Sequence, residues 1–318
     1  MTDAWILLQA GGLRETLAGL LAALPEGAVG PTVELVMSVL KATAIVLVIQ
    51  LAMLYATWLE RKFIARIQDR VGPNRIGLFG LGVPFADMVK ILTKEDITPT
   101  AAHRWVYNLG AILVVPPALL GFAVVAFDRH LIAADLTVGI LFFFAVASTS
   151  VIPIFMAGWG SRNKYALIGA MRAVAQIVSY EIPQVLSLVG VLLLAGTLGV
   201  NELILRQGPM GDGGFPGVWF VFLQPIAFIV FLIATSAEIE RTPFDIPEAE
   251  SEIIAGYHTE YSGIKFGMFY LALYFATISA AAIGAILFLG GWQPPVAALG
   301  FVPGWVWRTA KTVLLALV

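Results

Sequence analysis

Cysteine is absent from the sequence, which excludes disulfides and any iron–sulfur cluster or thiolate metal site held by this chain. Histidine is scarce, and the three histidines lie far apart without metal-ligand spacing. No phosphate-binding loop with its glycine, lysine and hydroxyl signature is present. We therefore expect no redox cofactor bound by the chain itself, and we expect no nucleic acid among its partners.

Charged residues are also few. They make up 13% of the chain against 59% hydrophobic residues, whereas soluble domains have roughly 25% charged residues. This composition predicts an all-α membrane protein, a polytopic bundle of helices. A span needs about 20 apolar residues, and such segments lie near 34–58, 106–127, 138–158, 166–196, 218–237 and 266–290.

A seventh apolar segment begins at Trp305 and is cut short at Val318, so seven spans are visible. The stretch 1–33 is a poor secretory signal because Asp3 stands where basic residues are usual. We predict that 1–33 contains a short interfacial helix and that 34–318 forms a single membrane domain.

Basic residues beside the spans predict the orientation. The connections 59–105, 159–165 and 238–265 hold eight, two and two lysines or arginines, whereas the opposite side has only three arginines. Because cytoplasmic loops are enriched in lysine and arginine, we expect loops 59–105 and 238–265 to face the cytoplasm and any partners there.

The first of these loops predicts a surface helix. In "PFADMVKILTKED" the apolar residues recur at i, i+3, i+4 and i+7 from Phe85, with charged residues opposite. The first span continues outward before it, with Lys62, Arg66 and Arg70 spaced by four. Two interpretations remain open, which are a basic anchor for anionic lipid and a docking ledge for a soluble protein.

Two ionisable residues interrupt the segment 166–196. Arg172 and Glu181 lie on opposite helical faces, so each needs a different neighbour. Ionisable groups inside a membrane are functional candidates by default. Pro183, two residues after the glutamate, leaves the backbone carbonyl of Ser179 without its helical donor. Glu181 is therefore either part of a hydrated polar path or a buried group that fixes a helix pair.

Acidic residues concentrate after the fifth segment. Residues 234–261 contain seven of the 21 carboxylates. Asp245 and Glu248 have capping-box spacing, which makes Asp245 a structural cap and would place Glu248 and Glu252 on its stripe of a following helix, with Glu250 opposite. The loop is either a solvated acidic surface or the mouth of a proton-accessible chain. In the second case Arg241 could hold one carboxylate ionised, and Arg172 would likewise be structural.

Four blocks in this sequence, "ERKFIARIQDRVGPNRIG", "PFADMVKILTKEDITP", "ALIGAMRAVAQIVSYE" and "AEIERTPFDIPEAESEIIAGYHTEYSGIKF", resemble those of membrane subunit 1 of respiratory complex I. In bacteria this is the H subunit of the proton-pumping NADH:quinone oxidoreductase. The resemblance implies an eight-span subunit of the bacterial inner membrane with quinone as substrate. It further implies contacts with the hydrophilic quinone-site and iron–sulfur subunits, with other complex I membrane subunits and with lipid.

The resemblance also implies roles for individual residues. A proton relay that couples quinone reduction to proton translocation would comprise Glu181, Glu238, Glu248, Glu250, Glu252 and Glu260, and to these we add Glu240 as a hypothesis of our own. The quinone tunnel or its docking surface would comprise Glu60, Arg61, Arg70, Asp87 and Phe266.

The chain departs from the family pattern in three respects. Leu273 stands where the family usually has a glutamate, and Glu240 stands where many members have asparagine, so we hypothesise that Glu240 partly replaces the lost carboxylate. A basic loop and a last span, expected after the seventh segment, are missing.

Three other functions stay open as alternatives. The wording "AEIER" is also close to the membrane subunit of energy-converting hydrogenases, which meets no quinone. A stand-alone secondary transporter is disfavoured by the absence of a repeat with paired broken helices. A structural membrane anchor would not require Glu181.

Overall fold

A computed structural model of the protein describes residues 26–129, 131–207, 218–248 and 250–317. In these ranges the chain consists of α-helices and short 3-10 turns, without a β-strand, which confirms the predicted all-α class. Most of the interfacial segment predicted at 1–33 lies outside the described residues. The chain divides into two compact units after Ala52, and every contact discussed below lies within the second unit.

The helices are numbered in chain order. They are α1 Glu26–Ile67, α2 Val83–Thr93, α3 Arg104–Leu113, α4 Val115–Leu120, α5 Gly139–Ser148, α6 Val151–Gly160, α7 Lys164–Ala195, α8 Val200–Leu205, α9 Phe220–Leu223, α10 Pro225–Glu238, α11 Glu250–Ile253, α12 Gly263–Leu289 and α13 Gly304–Leu317. The 3-10 turns are Leu78–Gly80, Gly121–Val124, Ile246–Glu248, Gly256–His258 and Ala297–Leu299.

Five helical stretches of the described chain are long and apolar enough to cross a membrane. They are Leu35–Ile67, Arg104–Val124, Gly139–Gly160, Lys164–Ala195 and Gly263–Leu289. Each overlaps a segment predicted from hydropathy. The first helix also continues past its span to Ile67, as the spacing of its basic residues indicated.

The fifth predicted segment, 218–237, is split into two helices. The break falls at Gln224 (φ −134°, ψ 62°), between α9 and α10. Pro225 causes this break because the residue before a proline is pushed out of the helical conformation. The remaining α10 has 14 residues, or about 21 Å at 1.5 Å per residue, which is less than the roughly 30 Å hydrocarbon core.

Small residues allow α7 to pack closely on its neighbours. A Cβ added at Gly169 would lie 2.5 Å from the Cα of Gly256, and one added at Gly158 would lie 2.3 Å from the Cβ of Ala170. Such close approaches are the usual means of packing helices in a membrane. They place the loop before α12 directly against α7, where the candidate site lies.

The predicted amphipathic helix is present as α2. Its apolar side chains Phe85, Met88 and Val89 are exposed in the isolated chain, so this face is available to lipid or to another subunit. On its charged side, Asp87 forms an ion pair with Arg61 of α1 at 2.7 Å. The helix is thus fastened to the end of α1 along its polar face.

Candidate functional site

Glu181 lies in the middle of α7, which runs through Pro183 without ending. Its carboxylate accepts a hydrogen bond from the Ser148 hydroxyl at the end of α5. Arg172, two turns earlier, instead pairs with Glu252 at 2.5 Å. The two ionisable groups thus have different neighbours, as their opposite helical faces require.

A second carboxylate, Glu238, lies close to the first. It ends α10 and accepts a hydrogen bond from the side-chain amide of Gln184, one turn along α7 from Glu181. The same amide donates to the Thr235 hydroxyl at 3.1 Å. Gln184 thus links Glu238 at the end of α10 to α7, the helix that carries Glu181.

Glu238 also lines a cavity of about 100 Å³, here called the carboxylate cavity. Its polar lining residues are Ser150, Glu238, Glu240, Tyr257 and Ser279. A cavity of this size has room for several water molecules, which need polar partners of this kind. The rest of its wall is apolar, with contributions from α4, α5, α6, α7 and α12.

Glu240 is buried at 7% exposure and has a positive φ of 54°. It follows the C-terminus of α10, where the left-handed conformation usually belongs to glycine or asparagine. Its carboxylate accepts a hydrogen bond from the Tyr257 hydroxyl at 3.1 Å. Leu273 of α12 lines the same cavity. Leu273, where the family usually has a glutamate, and Glu240, the additional glutamate of this chain, therefore both line it.

A further cluster joins α1, the acidic loop and α12. Arg241 pairs with Glu60 at 2.6 Å, and the Tyr274 hydroxyl donates to the other oxygen of Glu60 at 2.8 Å. The Arg241 guanidinium also lies 5.0 Å from the centre of the Tyr274 ring. Arg241 therefore does hold a carboxylate, but one that precedes it by 181 residues.

Two further members of the predicted relay, Glu252 and Glu260, do not line the cavity. Glu252 is exposed in its pair with Arg172, and Glu260 accepts from the Asn163 side chain at 2.7 Å. Asn163 also caps α7 by accepting from the Tyr165 amide. Glu252 is thus bound to the side of α7, and Glu260 is bound to the residue that caps its N-terminus.

The predicted capping helix after Asp245 is reduced to one 3-10 turn, followed by the four-residue α11. Asp245 itself is exposed. A continuous stripe of carboxylates along one helix therefore does not form. The side chains of Glu248 and Glu250 lie outside the described part of the structure.

Of the predicted tunnel and docking residues, Arg61 and Arg70 are exposed and Asp87 is half-buried. Arg61 binds Asp87, and Arg70 donates to Gln68 at 2.7 Å. The ring of Phe266 lies edge-on to His258 with centres 5.7 Å apart. None of these contacts is with the carboxylate cavity.

A pair of tyrosines locks the loop before α12. The rings of Tyr107 and Tyr261 stack with their centres 4.1 Å apart. Tyr261 donates to the Tyr107 carbonyl at 2.9 Å, and Tyr107 donates to the Glu260 carbonyl at 2.8 Å. Burial raises the pKa of the Tyr261 hydroxyl above its ordinary value, and Tyr107 adds to this effect.

Sequence reasoning missed the neutral partners of the site, namely Ser148, Gln184, Tyr257 and Tyr274. The sequence contained a signal for Gln184 and Tyr274, because polar side chains inside apolar helices need hydrogen-bond partners. In the described residues no group of three or more histidine, aspartate or glutamate side chains gathers as a metal site.

The chain is similar to known proteins over most of its length. A profile of the NADH dehydrogenase family matches residues 40–318. The H subunit of NADH-quinone oxidoreductase from Dehalococcoides mccartyi is 54% identical over 239 residues, which are 75% of this chain and 65% of that protein. An H subunit of the same enzyme from Geobacter sulfurreducens, the one numbered 2, is 44% identical over 271 residues, covering 82% and 78%. The H subunit from Bacillus cereus is 46% identical over 258 residues, covering 81% and 75%. This chain thus spans just under two thirds of the Dehalococcoides protein that it matches.

Proposed function

Because this chain belongs to the NADH dehydrogenase family, we propose that it is a membrane subunit of a proton-translocating NADH:quinone oxidoreductase, complex I. In this proposal the chain forms the quinone chamber together with the hydrophilic arm and transmits quinone reduction to proton translocation. The names of the relatives and the multi-pass helical fold support it. We place the protein in the bacterial inner membrane on the same grounds.

The relatives favour this function over the alternatives. Those described above are all named as subunits of a quinone oxidoreductase, which favours a quinone-linked complex over a hydrogenase. A subunit of such a complex works with other subunits, which disfavours a transporter that acts alone. Loops 59–105 and 238–265 would contact the hydrophilic quinone-site and iron–sulfur subunits. The exposed apolar face of α2 is one surface for such a contact.

The observations that carry the coupling proposal are that Glu238 and Glu240 both line the carboxylate cavity, and that Gln184, one turn from Glu181 on α7, donates to Glu238. Water held in a polar cavity of this size can bridge neighbouring carboxylates. A charge change on one side of the cavity therefore shifts protons along Glu240, Glu238 and Glu181. Water in the cavity would complete the connection between the loop and α7.

The partners of each carboxylate distinguish relay members from structural ones. Glu181 and Glu238 accept hydrogen bonds from neutral groups, so their proton occupancy can change without breaking an ion pair. Glu60 and Glu252 are bound by arginines, and each would lose that pair on protonation. We therefore assign the proton relay to Glu181, Glu238 and Glu240, and we assign attachment of the acidic loop to Glu60 and Glu252.

Replacing Glu181 tests the proposed function. In the assembled complex, E181Q keeps the shape of the side chain but cannot carry a proton as a carboxylic acid does. We expect NADH-driven proton pumping to fall at least tenfold, a change of about 1.4 kcal/mol, while the complex assembles normally. The matched control is E202Q, because Glu202 is exposed and distant in the chain from the relay.

Pumping and quinone reduction should be measured in the same membrane vesicles. Loss of pumping in E181Q with normal activity in E202Q supports the relay. Full pumping per quinone reduced in E181Q contradicts it. Correct assembly with other subunits but no NADH:quinone activity even in the unmodified protein would contradict the family-level function itself.

A further inference from the structure

A buried lysine lies at the other end of the bundle, away from the carboxylates. Lys311 of α13 has only 6% of its surface exposed, and none of the ion pairs between described residues includes it. Its ammonium instead donates to the backbone carbonyls of Leu289 at 2.6 Å, Gly291 at 3.0 Å and Gln293 at 2.6 Å. The same nitrogen lies 4.4 Å from the centre of the Trp219 ring.

The backbone after α12 is folded so that these carbonyls converge. Gly290 and Gly291 both have positive φ, at 70° and 52°, which turns the chain sharply in a conformation that suits glycine. The Gly291 amide donates back to Ala285 at 2.9 Å, and the Gln293 amide donates to Gly290 at 3.0 Å. The turn is therefore held by its own hydrogen bonds together with those that Lys311 donates.

Two further contacts fix the walls of this turn. The Gln293 side chain donates to the carbonyl of Ile204 at 2.8 Å. A Cβ added at Gly290 would lie 3.1 Å from the Trp219 ring, and one added at Gly291 would lie 2.8 Å from the side chain of Ile204. The indole thus packs directly on the turn, and a side chain at Gly290 or Gly291 would crowd these neighbours.

The chemistry of this pocket matches one kind of ligand. A primary ammonium has three N–H donors and no acceptor, and the pocket presents three carbonyl acceptors and an aromatic face that attracts cations. The Leu289 carbonyl also belongs to the C-terminus of α12, which carries the negative end of the helix dipole. A cation without N–H groups would satisfy the charge but not the three acceptors.

We propose that Leu289–Gln293 and the Trp219 ring form an ammonium-binding site, which the chain fills with Lys311 and thereby fastens α13 to the end of α12. The site is independent of the proposed proton relay, because it shares no residue with it. Its ligand class is a primary ammonium ion. When the lysine side chain is removed, the vacated site should accept ammonium or methylammonium from solution.

The experiment compares K311A with K311M in the assembled complex. Hydrogen exchange of the peptide that contains the Gly291 and Gln293 amides should be at least about tenfold faster in both variants, because the turn loses its central cation. Ammonium or methylammonium, on the order of 100 mM, should restore slow exchange in K311A by binding the folded state. The methionine side chain still fills the space in K311M, so no rescue is expected there.

Tetramethylammonium at the same ionic strength is the control for charge alone, and K164M is the control for removal of an exposed lysine. Neither should change the exchange of this turn. Unchanged exchange in K311A, or equal rescue by tetramethylammonium, would overturn the proposal.

A measurement on the unmodified complex covers the case in which the variants do not assemble. An amine-acetylating reagent should modify Lys311 only after the complex is denatured, since all three N–H groups are engaged. Rapid acetylation of Lys311 in the native complex would show that the ammonium is not bound in the turn.

Discussion

Moving a carboxylate across the cavity tests how Glu240 works. The change is E240N, alone and together with L273E, which returns a carboxylate to another lining position of the same cavity. Glu240 has a φ of 54°, a conformation that costs an ordinary L-residue about 1–2 kcal/mol and that asparagine tolerates. The substitution thus relieves backbone strain but replaces the carboxylate that accepts from the Tyr257 hydroxyl by a shorter, uncharged amide.

The two effects of E240N on stability oppose each other. Loss of a hydrogen bond to a charged group costs about 1.5–3 kcal/mol, and relief of strain offsets roughly 1 kcal/mol of that. We therefore expect the unfolding free energy to fall by no more than about 2 kcal/mol, so the complex should still assemble. Proton pumping should nevertheless fall, because one carboxylate of the relay is gone.

The L273E change is informative by itself and in combination. Alone, it places a second carboxylate in the cavity with Glu240, and two like charges that approach to about 4 Å repel by about 4 kcal/mol at an effective dielectric constant of about 20. In E240N/L273E only one of the two remains. We expect the double variant to pump better than either single variant.

Inverted membrane vesicles with a pH-sensitive dye provide the assay, with NADH:quinone reduction measured on the same sample. E240Q is a second control, since it retains the strained backbone but lacks the carboxylate. If E240Q or E240N pumps like the unmodified protein at an equal rate of quinone reduction, Glu240 is not in the relay. A double variant no better than E240N would refute the idea that the two positions are equivalent.

Three further changes test the contacts around the site. Y274F removes the hydroxyl that donates to Glu60 and should lower the unfolding free energy by about 1 kcal/mol, measured by thermal unfolding. G169A forces a Cβ to 2.5 Å from the Gly256 backbone and should cost at least about 1–3 kcal/mol through overpacking. Since the pKa of Tyr261 is raised in the folded state, its hydroxyl ionises more readily in the unfolded chain above pH about 10. Stability should therefore fall with rising pH beyond that value, and Y261F should weaken this dependence.

Matched variants make these results interpretable. Tyr165 is exposed, so Y165F should leave stability unchanged. A Cβ at Gly199 would meet nothing closer than 3.5 Å, so G199A should be tolerated. Equal effects of Y274F and Y165F, or of G169A and G199A, would contradict the contacts described here. An identical alkaline stability curve for Y261F and the unmodified protein would remove the role given to Tyr261.

Much of the fold follows from hydropathy and spacing. Apolar segments longer than about 20 residues predicted the long helices, and the i, i+3, i+4, i+7 pattern predicted α2. The break at Gln224 was missed although its signal, Pro225 inside an apolar run, was visible. Run length dominated that prediction, and the local effect of proline on the preceding residue was overlooked.

The site itself depends on contacts between distant residues. Glu181 meets a serine 33 residues earlier, Glu238 meets a glutamine 54 residues earlier, and Arg241 meets a glutamate 181 residues earlier. Helical periodicity places a side chain on a face but does not identify the neighbouring helix on that face. The candidate carboxylates were therefore predictable from the sequence, whereas their partners and their division into two groups were not.

The two buried helix ends of this fold show that the rules of helix stability do not account for the carboxylates. Helix C-termini favour cations and disfavour anions, and at the end of α12 the chain places Lys311 against the last carbonyls. At the end of α10 it places Glu238 in the final position and Glu240 two residues later, in a strained left-handed conformation. The preference of helix C-termini for cations is thus satisfied at the end of α12 and violated at the end of α10. Such violations are expected at functional sites, and here they coincide with the carboxylate cavity, where the proposed relay requires acidic groups.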